Sequence, residues 1–222
     1  MRNVYIIFPY STGTIAKIAR FFTKYPYTHM SVCIDDDLEV FYSFSRYRND
    51  TALISGFAKE YRSHLTGTKD SKLKCKIFKL AVESTEYDDI EHYIHELSAA
   101  DDILFNYLSV ATFPLVGGFD VYKTENCCSF VAKVLEKVSY IDIDRPYCKY
   151  LPKDIEHILK DYVLLEGELD TDLEYDDDTY FYKTSFSEKI AGSVHSLRET
   201  FYRLVFKRKS KNFRKYKFKG LK

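Results

Sequence analysis

Hydrophobic positions in the first fifty residues follow three successive patterns, and each predicts a different element. Val4 to Phe8 is a continuous apolar run rich in β-branched and aromatic residues, stopped by Pro9 and a Ser-Thr-Gly turn, which predicts a buried strand. Ile15, Ile18, Ala19 and Phe22 then recur at helical spacing, with Lys17, Arg20 and Lys24 on the other side, predicting a helix from Thr14 to Lys24. Tyr25-Pro26-Tyr27 ends it, because the residue before a proline is pushed out of the helical region. From Thr28 to Phe44 the pattern alternates, His29, Ser31 and Cys33 against Met30, Val32 and Ile34, with a turn at Asp35-Asp36-Asp37 and a returning strand. A turn centred on Asp36 sets His29 opposite Ser43; a slip of one residue would select Tyr42 or Phe44.

Ser45 to Lys69 scatters isolated apolar residues among charges and predicts a long ordered loop with short elements. Lys72 to Val82 alternates Leu73, Cys75, Ile77 and Leu80 with lysines, as a strand with one wet face does. Ser84 or Thr85 caps a helix through Ala99 with Tyr87, Ile90, Tyr93, Ile94 and Leu97 as its stripe, and Phe105 to Phe119 reads as a buried apolar connection. Asn126 caps the next helix, in which Phe130, Val131, Val134, Leu135 and Val138 repeat at three and four. Tyr150 to Tyr162 predicts a short helix and Val163-Leu164-Leu165 a strand. Phe186, Ile190, Val194, Leu197, Phe201 and Leu204 form the stripe of a last helix.

Charge divides the chain. Lys and Arg balance Asp and Glu at 33 each overall, yet Glu166 to Asp178 is densely acidic and, from Lys183 on, Lys and Arg outnumber Glu by 13 to 2. This predicts a folded domain over residues 1–166, an acidic linker over 167–182, and a basic amphipathic helix and tail over 183–222 as a peripheral appendage whose removal leaves the core intact. A basic, aromatic tail is what an anionic membrane surface attracts; nucleic acid is the weaker alternative, and the oligomeric state is open. Five cysteines without regular spacing argue against a disulfide framework and for a reducing compartment. The apolar run after Met1 is too short for a signal sequence and no stretch approaches a membrane span, so the expected location is cytoplasmic, with the tail at a membrane surface.

The candidate chemistry lies at the start of the helix that Asn126 caps. A first-turn thiol feels unpaired backbone N–H groups and the positive end of the helix dipole, both of which favour thiolate. Cys127 lies three, four and seven residues before Phe130, Val131 and Val134 and so points with the inward face, while Cys128 is turned about 100° away. A helix-start cysteine, a strand histidine (His29) and a polar group beside it (Ser43) are the parts of a thiol hydrolase. His92 and His95, spaced by three on a helix, lack the surrounding ligands of a metal motif, and a zinc site from His29, Cys33 and the cysteine pair would need ligands from distant segments. No cofactor and no metal is expected.

Two segments carry a resemblance: Tyr25 to Val32 with Leu38 to Arg46, and Glu125-Asn126-Cys127-Cys128-Ser129-Phe130-Val131-Ala132 with Leu135. They are similar to the circularly permuted NlpC-type papain-like superfamily, the YiiX-like group, in which histidine precedes cysteine. The resemblance implies an α+β fold, a cysteine helix packed on an antiparallel sheet that carries the histidine. It implies that Cys127 is the nucleophile, His29 the base and Ser43 the third residue, where many relatives have an acid, histidine or amide. It also implies cleavage or transfer at an amide or ester, with a peptide, amide or lipid-acyl substrate. The rival expectation is a catalytically silent papain-like module whose tail binds membrane or nucleic acid.

Overall fold

The computed structural model describes residues 1–11, 14–67, 72–171, 179–211 and 213–218. It is a mixed α+β structure built on an antiparallel sheet. In chain order the elements are β1 (Arg2–Pro9), α1 (Thr14–Thr23), β2 (Ser31–Cys33), β3 (Val40–Arg46), β4 (Ser55–Tyr61), α2 (Arg62–Thr66), β5 (Leu73–Val82) and α3 (Ser84–Ala99). There follow β6 (Leu104–Phe105), α4 (Tyr107–Val116), β7 (Thr124–Glu125), α5 (Cys127–Leu135), α6 (Pro152–Ile158), β8 (Val163–Leu169) and α7 (Phe186–Phe206). Six strands form one sheet in the order β4-β3-β2-β1-β5-β8, all neighbours antiparallel, and β6 with β7 makes a two-residue parallel pair. The burial of Ile15, Ile18, Ala19 and Phe22, the turn at residues 12–13 and the acidic stretch 172–178 lie outside the described residues.

Alternation along the strands divides the interior in two, because successive side chains point to opposite faces. Val4, Ile6 and Phe8 of β1, with Phe78, Leu80 and Val82 of β5, face the larger core, which α3, α5 and α6 complete. Tyr5, Ile7, Leu73, Cys75 and Ile77 face the smaller one, under Leu65 of α2. β5 is therefore buried on both sides and has no continuous wet face; its lysines sit at Lys74 and Lys79 and at Lys76, which pairs with Glu156 at 2.7 Å and Glu166 at 3.1 Å.

Three expectations need correction. The hairpin register is two residues further on, with Val32 opposite Tyr42, so Ser31 and not His29 comes opposite Ser43. The cause is the turn: Leu38 takes the left-handed conformation (φ 56°) and its N–H donates to Asp35 O at 3.2 Å, which moves the turn centre to Asp37. The stretch read as a loop after Ser45 holds β4, paired along its whole length with β3. The apolar connection from Phe105 is a helix, α4, that leaves Leu115 and Val116 exposed.

The acidic linker starts later than the charge pattern suggested, since Glu166, Gly167, Glu168 and Leu169 belong to β8 and pair with β5. The basic segment is no loose appendage either. α7 is capped by Ser185 and Glu188 in a reciprocal box, and it lays Gly192, Ser196, Glu199, Thr200 and Arg203 against the body. A Cβ on Gly192 would come within 2.3 Å of Ile54 Cδ1, so the Ile54 side chain packs directly on the helix backbone here. Arg203, fully buried, donates to Glu199 at 2.9 Å and to the carbonyls of Asp102 and Lys123 at 2.7 and 2.9 Å. Residues 213–218 fold back, with Phe213 stacked on His195 and Phe218 buried beneath the Arg48 guanidinium.

A buried ion pair that loses one partner leaves the other charge uncompensated, so Arg203→Ala should destabilise the fold by about 3 kcal/mol. Thermal unfolding measures it, and an unchanged midpoint would show that α7 does not contribute to the body. By the same reasoning a chain ended at Lys183 should unfold at a distinctly lower temperature than the full chain.

Candidate active site

Asn126 holds the start of α5 as its sequence position predicted. Its side chain accepts from Ser129 N at 2.9 Å, and Ser129 Oγ accepts from Asn126 N at 2.9 Å. Glu125 tightens the same turn, accepting from Ser129 Oγ at 2.6 Å and pairing with Lys133. These bonds fix the first helical residue, Cys127, whose own N–H and that of Cys128 are among the four that an α-helix leaves without an intrahelical carbonyl. Both thiols are buried, each 8 % exposed, against the sheet face that carries Phe44 and Phe57. The Phe130 ring meets those two rings edge-on at 6.0 and 5.4 Å, which locks the helix to β3 and β4.

His29 precedes the ladder of β2 and is brought beside Cys127, close enough that each group shifts the other's pKa. Its Nε2 lies 3.1 Å from Glu60 Oε2, on β4. Glu60 is 2 % exposed. A carboxylate so deep is tolerable only when paired and hydrogen-bonded. Ser31 Oγ donates to it at 3.0 Å, Ser43 Oγ also donates to it, and Ser45 bonds it as well. Ser43 thus serves the carboxylate, and Glu60, not Ser43, is the group that holds the histidine ring.

The charges follow from this arrangement. Burial alone would raise the Glu60 pKa, but the His29 imidazolium and the serine donors outweigh it and bring the carboxyl down to about 2. Burial alone would lower the pKa of His29, yet the Glu60 carboxylate, its hydrogen bond to Cys127 and the nearby sulfur charge lift it to about 10. The Cys127 thiol is pulled well below its ordinary value by a hydrogen bond from Cys128, against burial, and then by His29 and the Met30 N–H. Cys128 moves the opposite way, held protonated by its bond to Cys127 and by burial. These directions favour a Cys127 thiolate beside a His29 imidazolium backed by the Glu60 carboxylate, with the Cys128 thiol protonated.

Sequence reasoning found the cysteine and the histidine and missed the glutamate. Glu60 stands between Lys59 and Tyr61 in a stretch with no strong local pattern; its only signal is the set of serines across the sheet, which needs the register to be seen. His92 pairs with Glu96 at 3.2 Å on an exposed helix face, and among the described residues no group of three or more His, Cys, Asp or Glu could hold a metal ion. A crevice of about 260 Å³, lined in part by Arg46, Lys59, Glu60 and His64, reaches the acid but not the thiol. Another of about 460 Å³ lies at the Arg2, Asp36 and Tyr87 end of the sheet, away from the thiol.

Two outcomes are expected. Glu60→Gln keeps an acceptor for the ring but removes the charge, so the iodoacetamide alkylation midpoint of Cys127 should rise toward the free-thiol value of about 8.5, and His29→Ala should raise it at least as far. A midpoint unmoved by either substitution would separate the thiol from the pair. For stability, Glu60 has its pKa depressed from 4.5 to about 2, so its contribution is complete above pH 4.5 and is lost as pH falls through about 2. His29 has its pKa raised from 6.5 to about 10, so its contribution is complete below pH 6.5 and is lost as pH rises through about 10. The stability difference between wild type and the Glu60→Gln, His29→Ala double variant should be largest between pH 4.5 and 6.5 and shrink on both sides. No protein-family model, curated protein or solved structure matches the chain, so the functional reading rests on this geometry.

Proposed function

We propose that the protein is a thiol hydrolase or acyltransferase of permuted papain-like, NlpC-type architecture, acting on an amide or ester carbonyl. The observation that carries the reading is the cluster of Glu60, His29 and Cys127, in which a buried acid lies 3.1 Å from His29 Nε2 and a thiol at a helix start sits beside the same imidazole. The Cys127 thiolate attacks the carbonyl carbon, and the oxyanion that forms is met by the unpaired N–H groups of the first turn of α5. Protonated His29 gives its proton to the departing amine or alcohol as the carbon–heteroatom bond breaks, leaving a Cys127 acyl-thioester and neutral imidazole. His29 then takes a proton from water, or from an acceptor nucleophile, whose oxygen or nitrogen attacks the thioester and expels the thiolate. Glu60 stays ionised throughout and stabilises the imidazolium at both ends of the cycle. The substrate class is a peptide, amide or lipid-acyl group.

A catalytically silent module of the same architecture is favoured by one observation: Cys127 is nearly covered, and neither described crevice opens on it. Covalent capture separates the two. Incubation with p-nitrophenyl acetate should give a single acetyl adduct in the intact mass, mapped to the Cys127 peptide and removed by hydroxylamine. Cys127→Ala should abolish it, and release of p-nitrophenol should fall by about 10³-fold in that variant. Cys128→Ser should retain the adduct. A wild-type chain that stays unmodified while a free-cysteine peptide is acetylated would leave the silent module standing.

A further inference from the structure

α7 is mounted with its polar side inward. The residues it buries are Gly192, Ser196, Glu199, Thr200 and Arg203, spaced at three and four, and two of them are charged. Its apolar stripe runs along the other side: Phe186, Ile190, Val194, Leu197, Phe201, Leu204 and Val205 are each between 37 and 79 % exposed. In a helix whose role was to close the core, that stripe would be the buried face. α4 packs beside α7, and its last residues Leu115 and Val116 are 86 and 56 % exposed. An apolar stripe left in water along a folded helix marks a contact site.

Charge decides what covers it. The segment that carries the stripe holds 13 Lys and Arg against 2 Glu between residues 183 and 222, a net of +11. Arg198, Lys207, Arg208, Lys211, Arg214 and Lys217 are exposed on the helix and the strand of chain folded beside it. A second copy bringing the same face would set two strongly positive segments against each other. Nucleic acid would take the cations and leave the phenylalanines and aliphatics in water. A surface that is apolar to a depth of one side chain and anionic at its rim satisfies both, and that is the interface of an anionic bilayer.

We infer that the α4–α7 face docks the protein on an anionic lipid membrane, with the apolar side chains in the acyl boundary and the cations among the headgroups. The inference does not depend on the thiol chemistry. The buried Arg203 shows why deleting the segment cannot test it: truncation removes a part of the fold together with the stripe. Outward-facing substitutions avoid this.

The test uses the full chain and sedimentation with vesicles of phosphatidylcholine alone or with phosphatidylserine added. Anionic vesicles should carry the protein down at low salt, neutral ones at least about ten-fold less, and raising the salt should weaken the binding. Val194→Ser with Phe201→Ser should weaken anionic-vesicle binding by at least about ten-fold while leaving the thermal midpoint within a degree or two, because both side chains are already in water. Failure to sediment with anionic vesicles at low salt overturns the inference. So does binding that the double variant leaves intact, which would make the contact purely electrostatic and point to a polyanion such as nucleic acid. A wild-type dimer in sedimentation equilibrium that the double variant converts to monomer, with no vesicle binding by either, assigns the face to a second copy instead. The assay reads lipid binding and not turnover, so its failure leaves the hydrolase reading untouched, and the reverse holds.

Discussion

An ionised carboxylate inside a sheet is the constraint around which the candidate site is built. Glu60 could not stay charged at its depth without a cation and several donors, and the fold supplies them from three separate segments: His29 from before β2, Ser31 from β2, and Ser43 and Ser45 from β3. Each donor has a direction fixed by its strand, so the pairing register of β2, β3 and β4 is an electrostatic requirement as much as a packing one. A slip of one residue would turn the serines to the other face and leave the carboxylate bare. The same imidazolium that pairs with Glu60 favours the thiolate of Cys127, so a single proton on His29 serves two anions.

What the sequence made legible depended on whether the signal was local. The N-cap at Asn126 and the paired cysteines behind it are set by neighbours within one helical turn and stand where the pattern put them, while Cys128 is as buried as Cys127. The alternation around His29 marked a strand, but the register depended on one left-handed residue, Leu38, that no hydrophobic pattern announces. Glu60 was invisible for a deeper reason. A lone acid beside a lysine looks like solvent-facing sequence, and its burial is decided by hydroxyls that are distant along the chain and adjacent only across the sheet.

The last helix shows a different limit. Hydrophobic spacing located α7 and its apolar face correctly, yet periodicity says which side of a helix is apolar and nothing about which side meets the protein. Here the usual correspondence is inverted: Arg203 and Glu199 are inside and Phe186 and Phe201 are outside. Gly192 is what allows it, since the helix approaches Ile54 where any side chain would collide.

The strand order also carries information about how the chain comes together in time. β1 to β5 all lie within the first 82 residues, whereas β8 reaches β5 only after the chain has run through α3, α4, α5 and α6. Closing a loop of that length costs more entropy than pairing neighbouring strands, and contacts close in sequence form sooner. His29, Ser31, Ser43 and Glu60 all belong to the part that can pair early, and Cys127 lies inside the late loop. Local pairing thus favours assembling the acid and base on one half of the chain, as a charged socket, ahead of the half that brings the sulfur.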